Sequence, residues 1–145
     1  MQRLLAFTLI ALFVSMVALP AAADEPEEQR LFVTITGSGA QERAMPLVLA
    51  NQALDQGATV RVLLCGAGAE LALTDHPEEK LAPRNVSAQD LMRRLIDHGV
   101  PIEVCAIFLP NSEYSQDDLL PKIGVAQPGE IASWMLAPNT RLFSH

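Results

Sequence analysis

The sequence predicts an α/β fold, a three-layer α/β/α sandwich around a small, mainly parallel sheet of four to five strands. Three observations point there. The run Leu31–Thr36 is apolar or β-branched throughout, as a strand covered on both faces is. Strand-like and helix-like segments then alternate along the chain, which implies right-handed crossovers between parallel strands. Finally, 145 residues, 50% hydrophobic and 19% charged, suffice for one packed domain and exclude a disordered chain.

The elements follow in order. Met1, Gln2 and Arg3 give a cationic start, Leu4–Leu19 an apolar run, Pro20 a break and Ala21–Ala23 the small side chains a signal peptidase reads. Sixteen apolar residues fall short of the ~20 that span a bilayer. Residues 1–23 are therefore expected to be a signal peptide cleaved after Ala23, which places the chain in a periplasm. Residues 24–30 read as a flexible leader and 31–145 as the domain.

Within the domain, Leu31–Thr36 is the first strand, closed by Gly37-Ser38-Gly39. Ala44–Gln56 reads as a helix, with Pro46 tolerated near its first turn and Gly57 as the stop. Thr59–Leu64 is a second strand running straight into Cys65, and a short turn or helix follows to Leu73. A polar loop, Thr74–Val86, leads to a helix opened by Ser87, whose capping box closes with Asp90. Ala88, Leu91, Met92, Leu95 and Ile96 form its apolar stripe, and Gly99 ends it. Val100–Ile107 reads as a third strand with Pro101 at its start. After a long polar loop, Leu109–Gln127, a short helix begins at Pro128 with Ile131, Trp134 and Met135 on one face. Thr140–Phe143 is the last strand.

Charge narrows the function. A formal net charge of −7 argues against nucleic acid, which needs a basic face, and against an anionic membrane surface. The carboxylates are spread along loops and helix ends, as on a solvated acidic surface. In parallel α/β sheets, ligands and reactive groups gather beyond the carboxyl ends of the strands. Cys65 and Cys105 both fall there. Each is open to three readings: a small buried hydrophobe, half of a disulfide, or a reactive thiolate. A bridge requires Cα atoms within ~7 Å, which adjacent strands ~4.8 Å apart allow and an intervening strand forbids. No basic residue flanks Cys105; Glu103 lies two positions before it.

Other chemistry finds less support. Gly37-Ser38-Gly39 is not a dinucleotide fingerprint, because Glu42 stands where Gly or Ala is required and Cys65 where an acid is. Thr34–Ser38 resembles a flavodoxin phosphate loop, but Gly39 replaces its last hydroxyl and stacking aromatics are scarce. No cofactor and no metal are expected. His98 suits a helix C-terminus, while His76 and His145 would bind a metal only if both cysteines converged on one of them. Phe108, Leu109, Leu119 and Leu120 offer apolar loop surface for self-association.

The stretch from Val100 to Asn111, VPIEVCAIFLPN, following a Gly-terminated helix, resembles the DsrE/DsrF-like family. The later LLPKIGV segment, 119–125, and the closing TRLFS, 140–144, are similar to those of its exported members. The resemblance implies a homo-oligomeric α/β sandwich in which a cysteine after the third strand carries persulfide sulfur between proteins. It assigns that place to Cys105 and assigns none to Cys65. The expected function is a periplasmic persulfide carrier or thiol-redox protein acting through Cys105, with Cys65 as its candidate pair and a sulfur donor or acceptor protein as partner. The alternative is a non-catalytic homo-oligomeric binding module for a small ligand or partner protein.

Overall fold

The computed structural model describes residues 28–145, so the expected signal peptide lies outside the described residues. β1 (Arg30–Ile35), β2 (Thr59–Leu64), β3 (Ile102–Val104), β4 (Gly124–Val125) and β5 (Thr140–Ser144) form one sheet in the order β4-β3-β2-β1-β5. Every neighbouring pair is parallel. From β1 to β4 the chain steps one way across the sheet, with α1 (Ala40–Asp55) and α2 (Ala88–Asp97) in its crossovers. The return from β4 to β5, beyond β1, reverses direction and carries α3 (Pro128–Met135). Right-handed crossovers in opposite directions must lie on opposite faces, and this is what makes three layers.

Strand alternation sorts the side chains between those faces. Val33, Ile35, Val60, Val62, Leu64, Ile102 and Val104 pack with Leu47 of α1 and with Met92 and Leu95 of α2 in the main core. The opposite face carries a smaller cluster, Phe32 and Leu63 with Ile131 and Trp134 of α3. One eight-residue helix covers this side, so Leu142 of β5 remains exposed there.

Several expectations need correction. α1 begins at Ala40, four residues early, because Gly39 is extended and its N–H donates to the Glu42 carboxylate at 3.0 Å. Pro46 thus falls in the second turn. It lacks the N–H for one helical bond, yet its ring is fully buried in the packing. β3 is three residues long rather than eight: Ala106–Phe108 turns away from the sheet and Ile107 is 71% exposed. The long polar loop hides β4, whose two residues pair with Glu103 and Val104 and are too few to show a period. Met135 does not share the buried face of α3; it is exposed while Ile131 is buried. Leu119 and Leu120 are core residues, and Phe108 and Leu109 pack against that core, so they do not form the apolar loop surface expected of them.

The capping box of α2 is present, with Asp90 N–H donating to Ser87 Oγ at 3.1 Å and Ser87 N–H to the Asp90 carboxylate at 2.9 Å. The Ser87 N–H first, and then the Ser87 hydroxyl, hold the Asp90 carboxyl below the usual carboxylate range by hydrogen-bonding to it.

Candidate functional site

β2 and β3 are neighbours, with Leu64 opposite Val104, so Cys65 and Cys105 are the next pair along. The hydrogen-bond ladder reaches them. Cys65 N–H donates to the Ile35 carbonyl at 2.9 Å, and Cys105 N–H to the Leu64 carbonyl at 2.8 Å. Cys65 keeps an extended backbone, φ −133° and ψ 160°. Alternation therefore puts it in the row Arg61–Leu63–Cys65, and Cys105 in the row with Glu103, both on the α3 face.

The chain leaves the sheet sharply after each cysteine. Gly66, at φ +53°, turns the backbone into a short 3-10 segment, Gly66–Ala72. Gly68 in that segment lies against the Ile35 carbonyl so closely that a Cβ would sit 2.7 Å from its carbon. Beyond Cys105, Phe108 N–H donates back to the Cys105 carbonyl at 2.9 Å and the Phe108 ring stacks on Tyr114.

The strand adjacency that a disulfide requires is thus met, but both cysteines are free thiols, each half-buried. Burial first, then donation of its S–H to Cys105 and the negative charge that Cys105 can carry, push the Cys65 thiol up to about 12. The two half-buried thiols are thus neighbours at the carboxyl ends of β2 and β3.

The carboxylate two residues before Cys105 is neutralised. Arg61 holds Glu103 in a two-pronged pair, Nε to Oε2 at 2.8 Å and Nη2 to Oε1 at 3.0 Å. Their side chains are only 12% and 15% exposed. The expectation of a wholly solvated acidic surface fails here and at a second place. Glu78, 4% exposed, lies 3.0 Å from Arg43 Nη1 and 3.1 Å from His76 Nε2, with Glu70 at 3.9 Å from the same nitrogen. Neither Glu78 oxygen receives a well-directed hydrogen bond. This cluster ties the 74–86 loop to the first turns of α1. Nothing in the spacing of Arg43, Glu70, His76 and Glu78 signalled it, because a charged loop residue shows its burial only once the loop has folded back.

His76 thus joins carboxylates and an arginine rather than the cysteines. His98 caps α2, its Nδ1 2.8 Å from the Arg94 carbonyl. The His145 carbonyl accepts from Thr36 N–H and Oγ1, and its ring stacks on Phe143. Among the described residues no group of three or more His, Cys, Asp or Glu is arranged to hold a metal, and no helix is long and apolar enough to cross a membrane.

Separate from the cysteines, a groove of about 750 Å³ runs between α1 and the 81–86 segment, floored by Met45, Val48, Leu81, Val86 and Leu91.

The profile of the DsrE/DsrF-like family matches residues 29–142. Among solved structures, the ychN protein from E. coli superposes with a TM-score of 0.68 at 16% identity, over 81% of this chain and 99% of that one. A protein of unknown function from Methanobacterium thermoautotrophicum, MTH1491, gives a TM-score of 0.59 at 18% identity, over 81% and 100%. At such identities these two likenesses speak for the fold. No curated protein matches the sequence.

Proposed function

The chain belongs to the DsrE/DsrF-like family, and from that premise we propose that it is a periplasmic sulfur carrier holding sulfane sulfur as a persulfide on Cys105. Membership of this family suggests a sulfur-relay role. The observation that carries the finer reading is the placement of Cys105: half-buried, at the carboxyl end of a central strand, with a second half-buried thiol next to it at the end of the neighbouring strand. Such strand ends are where parallel α/β folds keep their reactive groups. Loading is a thiol exchange. The Cys105 thiolate attacks the outer sulfur of a persulfide donor, R–S–SH; a bond forms between Cys105 Sγ and that sulfur while the donor's S–S bond breaks. The donor leaves as R–S⁻ with the electron pair, and nothing is oxidised overall. A partner thiol unloads the sulfur by the same exchange.

Export is part of this reading and rests on the Arg3, Leu4–Leu19 and Ala21–Ala23 pattern. Assembly into homo-oligomers is also part of it, supported by the exposed Met45, Val48 and Leu49 at helical spacing on α1. The groove beside that stripe favours a second reading, a binding module for a small ligand or partner protein. Intact mass separates the two. The carrier gains one sulfur atom on Cys105 after incubation with a sulfane donor, reductant removes it, and Cys105→Ser abolishes the gain while leaving assembly unchanged. Failure of the wild-type chain to take sulfur from any donor refutes the carrier and leaves the binding module.

A further inference from the structure

We infer that the groove between α1 and the 81–86 segment binds a small amphipathic monoanion, an aliphatic carboxylate whose chain lies on the apolar floor and whose head pairs with Arg84. The inference names the ligand class for the second reading above, rests on that reading, and is independent of sulfur loading at Cys105.

Size and lining are the first argument. The groove volume of about 750 Å³ falls within the ~300–1,000 Å³ of small-molecule sites, which are mostly apolar and largely pre-formed. Met45 and Val48, three residues apart on α1, share one helix face and are 50% and 38% exposed. Val86 and Leu91 complete the floor. The facing wall is held in place at two points. Leu81 N–H donates to the Val86 carbonyl at 2.9 Å, and the Leu81 side chain packs against the main core. Earlier in the same loop, the buried Glu78 ties the chain to α1 through Arg43 Nη1 at 3.0 Å.

Charge selects the occupant. The chain has a net charge of −7, and six of its seven described arginines are engaged. Arg30 pairs with Glu28, Arg43 with Glu78, Arg61 with Glu103 and Arg94 with Asp55, while Arg93 donates to Gln89 and Arg141 to Gln29. Arg84 alone among them has neither a hydrogen bond nor an ion pair, and it lines the groove. Its planar fork of donors matches a carboxylate. Glu42, on the same lining, is turned to the Gly39 N–H at 3.0 Å instead. A second negative charge on the ligand would meet Glu42 and a net-negative chain, so a monocarboxylate fits where a phosphate does not.

The α1 stripe that supports assembly includes Met45 and Val48, so a second copy seated there would close the groove. That copy is the competing occupant.

Isothermal titration tests octanoate, octanol and octyltrimethylammonium, each below its micelle concentration. The proteins are wild type, Arg84→Gln and Val48→Asp, each first checked for a cooperative thermal transition, with masses from sedimentation equilibrium. Wild type should bind octanoate about five- to tenfold more tightly than octanol, between the worth of an exposed ion pair and that of a charge-assisted hydrogen bond. Octyltrimethylammonium should bind most weakly. Arg84→Gln should lower octanoate to the octanol affinity and leave octanol unchanged, and Val48→Asp should abolish both. Equal binding of octanoate and octanol by wild type overturns the anion assignment and leaves the groove a binding site. An oligomer that takes up no octanoate and that Val48→Asp dissociates overturns the inference in favour of a second copy. A monomer that binds none of the three refutes the inference and the binding-module reading together, and leaves the carrier reading standing.

Discussion

Replacing Arg61 with methionine strips Glu103 of its two-pronged partner while keeping an apolar side chain of similar length beside Leu63. Two effects follow, and both have a size. Glu103 is 15% exposed on its side chain, so its charge is left largely buried and unpaired. Removing one partner of a buried pair typically costs 3–5 kcal/mol, and the partial access of water here points to about 3 kcal/mol. The second effect is on the neighbouring thiol. Residues two apart on one strand face are about 6.6 Å apart. At that distance a carboxylate and a thiolate repel by about 2.5 kcal/mol at an effective dielectric of 20, and by about 0.6 kcal/mol in bulk water. Half-burial of Cys105 places the case between these limits. Alkylation of Cys105 at pH 7 should therefore slow by between about threefold and about 70-fold. Urea denaturation reads the first effect and iodoacetamide kinetics the second. The double variant Arg61→Met/Glu103→Gln removes the stray charge and should regain most of both losses. Glu103→Gln alone leaves Arg61 with only the exposed Glu130 carboxylate, 3.8 Å away, and should speed alkylation. An Arg61→Met protein as stable and as reactive as wild type would refute the reasoning. So would a double variant no more reactive than the single one.

The other predictions concern the frame of the site. The folded chain keeps the Cys65 proton up to about pH 12, whereas an unfolded thiol releases it near 9.0. The folded state thus binds more protons across that window, and stability should fall as pH rises through it. Cys65→Ala should remove this part of the alkaline decline in denaturation curves recorded from pH 8 to 11, and an unchanged slope would contradict it. Asp90 titrates below the usual carboxylate range in the folded chain. Its contribution is therefore complete above that range and lost as pH falls below it, and Asp90→Asn should be least stable relative to wild type at neutral pH and converge with it in acid. Ser87→Ala, at the N-cap of the same helix, should cost about 1 kcal/mol in urea titrations. Gly68→Ala forces a methyl group into the Ile35 carbonyl; overpacking of this kind typically costs 1–3 kcal/mol. Because the displaced segment begins at Gly66, that variant should also change Cys65 accessibility, read as its rate of alkylation in the native state.

Much of this architecture was legible from the sequence, and the parts that were not share a cause. β1, β2, α2 and β5 declare themselves locally, by apolar runs or by a capping residue followed by a helical stripe. The Ser87–Asp90 box is the clearest case, because both hydrogen bonds lie within four residues of sequence. β4 is invisible for the opposite reason: two residues become a strand only because β3 stands ready to pair with them. The early start of α1 is set by Glu42 reaching back to Gly39, a contact that Pro46 obscured by suggesting a later first turn. The burial of Glu78 and Glu103 depends on Arg43, His76 and Arg61, at sequence distances where no periodicity operates.

The same distinction governs the site. Strand-end placement was enough to single out Cys65 and Cys105, but their relation depended on strand order, which a sequence of alternating elements leaves open. With β1 between β2 and β3 the two sulfurs would be separate features of one edge. The observed order β4-β3-β2-β1-β5 and the shared register make them neighbours. The adjacent carboxylate that would oppose a thiolate is already bound by Arg61. The surroundings of Cys105 are in this way a consequence of topology, because Cys65 and Arg61 were brought beside Cys105 and Glu103 by the β2–β3 pairing.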